Sequence, residues 1–193
     1  MFADDQPLIG AYAKQGPNEL FRVLEFVQCT IKQQFFRMPR TLADLDMQGH
    51  CSLLSGRQHL AIGEYRCRQE EIFSKVFQRS YSKALRFLVE LPGLGIAKAG
   101  FVLQLARGKA GCMDTHNIKR LGIDEKMLRS HGCSTLLLTE RIKSYIAVCH
   151  AIGTARLLDE WCMLIAAKYP KQFKDAAAVS YLHTQCILRH ATA

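Results

Sequence analysis

An all-helical (all-α) fold follows from three features of the chain. Apolar residues recur at helical spacing in segment after segment, strand-type alternation is hard to find, and Gly and Pro fall between the periodic segments. Leu20, Val23, Leu24 and Val27 form one such stripe, Leu85, Leu88 and Val89 a second, and Ile142, Tyr145, Ile146 and Cys149 a third. The punctuation stands at Pro39, Gly49, Gly56, Gly63, Pro92-Gly93, Gly95, Gly108, Gly122, Gly132, Gly153 and Pro170. At 193 residues and 49% hydrophobic content, the chain can bury one good core, so a single domain over 1–193 is expected.

In chain order the spacing predicts helices near 17–36, 41–47, 50–55, 57–62, 66–77, 80–90, 96–107, 115–120, 124–130, 137–150, 153–168 and 175–189. Helix 80–90 ends before Pro92, whose nitrogen has no hydrogen to donate, and two glycines then permit a tight turn into helix 96–107. Asp114-Thr115-His116-Asn117 has the composition of a helix start, with Lys119 and Arg120 farther along. Leu157, Leu158, Trp161, Met163 and Leu164 give helix 153–168 a core stripe. No fixed-period repeat and no low-complexity tract occurs, which argues against a solenoid or a disordered linker.

Lys and Arg number 26 against 17 Asp and Glu, a formal charge of +9. Such an excess favours a polyanionic partner, because neutralising phosphates is its usual physical use. Apolar runs such as Leu136-Leu137-Leu138 fall far short of the roughly 18 residues a membrane helix needs, and the start MFADDQPLIG shows no secretory pattern. A cytoplasmic protein without membrane contact is expected. The eight cysteines contain no C-x-x-C pair, so reduced, mostly buried thiols are expected, with neither a zinc site nor an iron–sulfur cluster. Arg37, Arg40, Arg66 and Arg68 are candidates to track a DNA backbone, although each alone reads as a solvated face.

The stretch ELPGLGIAKAGF carries the most information. The free amides and positive dipole end of a helix starting near Ile96 form a ready anion site, and Lys98 adds a charge. The order Leu91-Pro92-Gly93-Leu94-Gly95, then an apolar helix, a short loop and Asp114-Thr115-His116, resembles the helix-hairpin-helix and aspartate signature of the base-excision DNA glycosylase superfamily typified by endonuclease III. Upstream, VLEFVQCTIKQQ resembles that family's early helix with its Gln-x-Thr step, at Gln28 and Thr30. LAIGEYRCRQEEI resembles its Ile-Gly-x-Tyr turn, at Ile62, Gly63 and Tyr65. The resemblance covers about residues 20–125 in the correct order, while the remainder offers only compatible helices.

The resemblance implies two helical lobes with a cleft between them: about 20–110, including the hairpin at 80–107, and about 1–19 plus 111–193. It implies that amides of Gly93, Gly95 and Ala97 grip a phosphate of double-stranded DNA, with Lys98 beside them. Main-chain carbonyls of Val89, Leu91 and Leu94 would hold a monovalent cation, Na+ or K+. Gln28 would enter the space left by an extruded base, and Asp114 would face the cleft.

Breaking a sugar–base bond develops positive charge on the deoxyribose, and a carboxylate in a dry cleft stabilises that charge while orienting water. Asp114 suits this role, and His116, two residues on, is placed to contact phosphate or assist proton transfer. Ala97 stands where the lyase members of the superfamily carry a Schiff-base lysine. Lys98 is one residue later, rotated by about 100° on a helix. The cluster-binding cysteine tail is also missing. The expectation is a lyase-deficient DNA glycosylase needing no cofactor. Two alternatives stand beside it: a bacteriophage-type enzyme altering a hydroxymethyl-derived thymine substituent, and a non-catalytic DNA-binding or virion-associated module.

Overall fold

The computed structural model describes residues 5–31, 34–111, 113, 115–130 and 132–189, without the side chains of Asp5, Thr115 and His116. Among the described residues there are eleven α-helices and no strand. They are α1 (Asp5–Ala13), α2 (Pro17–Cys29), α3 (Met38–Gln48), α4 (Gly56–Cys67), α5 (Gln69–Gln78), α6 (Tyr81–Glu90), α7 (Ile96–Arg107), α8 (Thr115–Leu121), α9 (Thr135–Ile152), α10 (Thr154–Lys168) and α11 (Ala176–Leu188).

Two helices are buried over most of their length and form the centre of the fold. From Leu20 to Cys29, α2 is buried except at Arg22, and α7 is buried at Ile96 and from Ala99 to Ala106. They pack on each other, with α1, α4, α5 and α11 also against α2, and α1 and α6 against α7. Farther out, α9 packs on α6, and α10 joins α9 to α11. Trp161 of the predicted stripe is buried, its ring centroid 5.0 Å from that of Phe35 and 5.6 Å from that of Phe101.

Several expected boundaries need correction. Helix α1 was not expected, since DQPLIGAYA contains both Pro and Gly. Packing overrides propensity there: Ile9 and Ala13 are fully buried, and a Cβ on Gly10 would stand 3.4 Å from the Ala106 carbonyl, so its absence lets α1 approach α7. The helix predicted over 17–36 stops at Cys29, and Phe35–Arg37 is a separate 3-10 turn leading into the Pro39-primed start of α3. Residues 50–55 form no helix. They lead instead to a reciprocal cap in which Ser55 and Gln58 satisfy each other's backbone amides and launch α4. Because α4 continues to Cys67, Ile62, Gly63 and Tyr65 lie inside a helix and not on a turn. The segment predicted as helix 124–130 is a 3-10 turn at Glu125–Leu128, with Asp124 accepting from the Lys126 amide.

A charged network ties the carboxy-terminal helix to the centre. The fully buried Glu25 of α2 pairs with Arg22 at 3.1 Å and with Arg189, which also holds Asp46 of α3 at 2.8 Å. A buried carboxylate survives only where such partners repay its lost hydration.

Candidate nucleic-acid interface

The turn between α6 and α7 is built as its sequence requires. Leu91 leaves the helix in extended conformation, Gly93 takes a left-handed φ of +77°, and Gly95 is the extended residue that opens α7. The Leu94 amide donates to the Leu91 carbonyl at 3.2 Å, and the Ala99 amide returns to the Gly95 carbonyl at 2.9 Å. Among the described residues no side chain caps α7, and the first amides, those of Ile96, Ala97 and Lys98, have no intrahelical or side-chain partner there, at an end where Gly93 is exposed.

Beneath the turn lie three residues from elsewhere in the chain. A Cβ on Gly93 would meet the Gln28 side-chain amide, 2.6 Å from its Nε2. Gln28 is itself only 2% exposed, and its backbone carbonyl accepts from Gln58 Nε2 at 3.1 Å. The Tyr65 hydroxyl donates to the Pro92 carbonyl and lies 3.3 Å from Gln28 Oε1. Burial pushes the Tyr65 phenol above its ordinary range, so it remains a donor. The structure thus sets the buried side chains of Gln28 and Tyr65 beneath the exposed Gly93, with Gln28 packed inside and supporting the turn.

Lys98 reaches from α7 to the C-terminal end of α2. Its ammonium donates to Thr30 Oγ1 at 3.0 Å, and that hydroxyl donates on to the Val27 carbonyl at 2.7 Å, at the negative end of α2. Ser130 had no local signature: its Oγ stands 3.7 Å from the position of a Gly95 Cβ, an approach made only through the fold.

The segment leading toward Asp114 is tightly held. Gly108 closes α7 in left-handed conformation, and Ala110 adopts a φ of +68°, which costs a non-glycine residue about 1–2 kcal/mol. The Gly111 carbonyl accepts from the Tyr145 hydroxyl of α9, and neither Gly100 nor Gly111 leaves room for a Cβ, facing Tyr145 and Leu157 respectively. Met113 and Ile118 are fully buried, and Asn117 nearly so. Asp114 lies outside the described residues, as do Cys112, His131 and the His116 side chain. Helix α8 begins at Thr115, where its start was expected.

Of the arginines read as backbone trackers, two are engaged within the protein. Arg68 pairs with Glu64 at 2.7 Å and Glu71 at 2.9 Å, and Arg66 lies 3.8 Å from Glu25 and 5.3 Å over the Phe21 ring. Arg37 is exposed beside Phe36, and Arg40 is exposed. Among the described residues no three His, Cys, Asp or Glu side chains gather as a metal site, and no helix is long and apolar enough to cross a membrane.

Fold and site together define an all-helical basic protein with a glycine turn seated on buried Gln28 and Tyr65. No protein-family model, curated protein or solved structure matches the chain.

Proposed function

We propose that this protein is a DNA-binding, base-acting enzyme: a lyase-deficient DNA glycosylase that turns one nucleotide out of the duplex and uses Asp114 in breaking its glycosidic bond. The observation that carries the reading is the α6–α7 turn. Left-handed Gly93 and extended Gly95 present the uncapped start of α7, while Gln28 and Tyr65 hold the turn rigid from below. In this reading the segment is a helix-hairpin-helix, and the amides of Gly93, Gly95 and Ala97 receive a DNA phosphate. A Na+ or K+ on the carbonyls of Val89, Leu91 and Leu94 would strengthen the local positive potential, although the reading does not depend on it.

The two lobes, about 20–110 and about 1–19 with 111–193, would enclose the extruded base. Flipping costs a few kcal/mol, offset by the phosphate contacts. Asp114 stabilises the cationic sugar and orients water, and His116 serves phosphate contact or proton transfer. The strained Ala110 and the clamp on Gly111 support this assignment, because strain beside an anchored segment is a mark of functional sites. With the Lys98 ammonium bonded to Thr30, hydrolysis is favoured over a Schiff-base route.

The test is a panel of duplexes carrying uracil, oxidised purines, mismatches or hydroxymethyluracil. Release of free base with the strand left intact is expected. A mass change on an intact strand with no free base released would favour thymine modification instead, and binding without either product would reduce the protein to a binding module.

A further inference from the structure

Away from the turn, at the opposite end of α6, Lys75, Arg79 and Lys83 converge on a polar groove of about 390 Å³ together with Ser74, Gln78 and Ser80. The cations come from three neighbouring pieces of chain: the last turn of α5, the connection and the first turn of α6. A larger neighbouring groove shares the three cations and continues past Arg68, Glu71, Arg86, Phe87 and Glu90.

Two ordinary uses of such cations are already taken. Basic groups near a helix end commonly satisfy its last carbonyls, but here Arg107 does so, donating to the carbonyls of Val76 at 2.9 Å and Arg79 at 3.1 Å. The nearby carboxylates are likewise engaged: Glu71 pairs with Arg68, and Glu90 lies 3.6 Å from Arg86. Among the described residues no ion pair forms at Lys75, Arg79 or Lys83. Ser80 makes no side-chain cap, so the positive end of the ten-residue α6 adds to the same field. Like charges that converge without a direct ion pair repel one another, a cost that a polyanion removes.

We propose that this α5–α6 groove is a second phosphate-binding site, which grips the backbone of the duplex held at the α6–α7 turn. The inference rests on the DNA-binding reading above. Ten residues of α6 span about 15 Å, equivalent to roughly four base-pair steps, so one duplex backbone can reach both ends. The groove contributes affinity without sequence preference, leaving base selection to the cleft.

The experiment compares wild type with K75Q/R79Q/K83Q by fluorescence anisotropy on an undamaged duplex of roughly 20 base pairs across a salt series. A control, K143Q/K168Q/K171Q, removes the same charge from exposed positions elsewhere. Each lost phosphate contact lowers the slope of log affinity against log salt by about 0.9, so the groove variant should lose roughly 2–3 and the control little. An unchanged slope in a groove variant with wild-type circular dichroism, or an equal loss in the control, overturns the groove while leaving the DNA-binding reading intact. A wild-type chain that binds no duplex even at low salt overturns both.

Discussion

Gln28 fills the space that Gly93 leaves by having no side chain: its Nε2 stands 2.6 Å from where a Cβ would be. The last turn of α2 and a turn more than sixty residues away are therefore fitted to each other, and the left-handed φ of +77° makes glycine doubly necessary.

Gly93→Ala should destabilise the fold by about 1–3 kcal/mol, the sum of left-handed strain and displacement of Gln28, less the smaller gain from a stiffer unfolded chain. Urea denaturation measures it. In a double-mutant cycle, Gln28→Ala should recover the steric part, and strict additivity would show that the two residues are uncoupled.

The clamp on the segment before Asp114 makes a second prediction. Tyr145→Phe removes one of two donors to the buried Gly111 carbonyl, which also accepts from the Met113 amide at 2.9 Å, and should cost about 0.5–1.5 kcal/mol. Amide hydrogen exchange around Gly111 and Met113 should quicken more than in α2. Unchanged exchange there would mean that Tyr145 does not fasten this segment.

Buried thiols set the behaviour in alkali. Burial pushes Cys149 and Cys186 up to about 12, and Cys29 higher still. Unfolded thiols ionise near about 8.5. Below that value both states keep the proton and the stabilisation is fully present. Above it only the unfolded chain ionises, so stability falls toward pH 12 by up to about 1.4 kcal/mol per pH unit for each thiol. Urea midpoints should decline from pH 8.5 upward, while exposed Cys67 reacts readily with a thiol reagent under native conditions. A flat alkaline profile contradicts this assignment.

Much of the helical order was legible because burial on one face leaves a periodic trace. The stripe at Leu20, Val23, Leu24 and Val27 is buried in α2, and the Pro92–Gly95 break falls between α6 and α7. What escaped was set by distant partners. Helix α1 forms against α7 despite its Pro and Gly, and Gly63 is absorbed into α4 where a turn was expected. At the site, the LPGLG pattern disclosed the turn itself, but not that Gln28 would be packed beneath it, that Lys98 would be bonded to Thr30, or that Ser130 would approach Gly95. Those contacts join segments tens of residues apart, and side-chain spacing along one helix carries no record of them.

The most direct trial of the central claim is single-turnover base release by Asp114→Asn on the substrate that the duplex panel identifies, with duplex affinity measured alongside. If the carboxylate acts on the everted nucleotide, release should fall by more than about 100-fold while affinity changes little. Release at the wild-type rate would contradict the account and remove Asp114 from the chemistry.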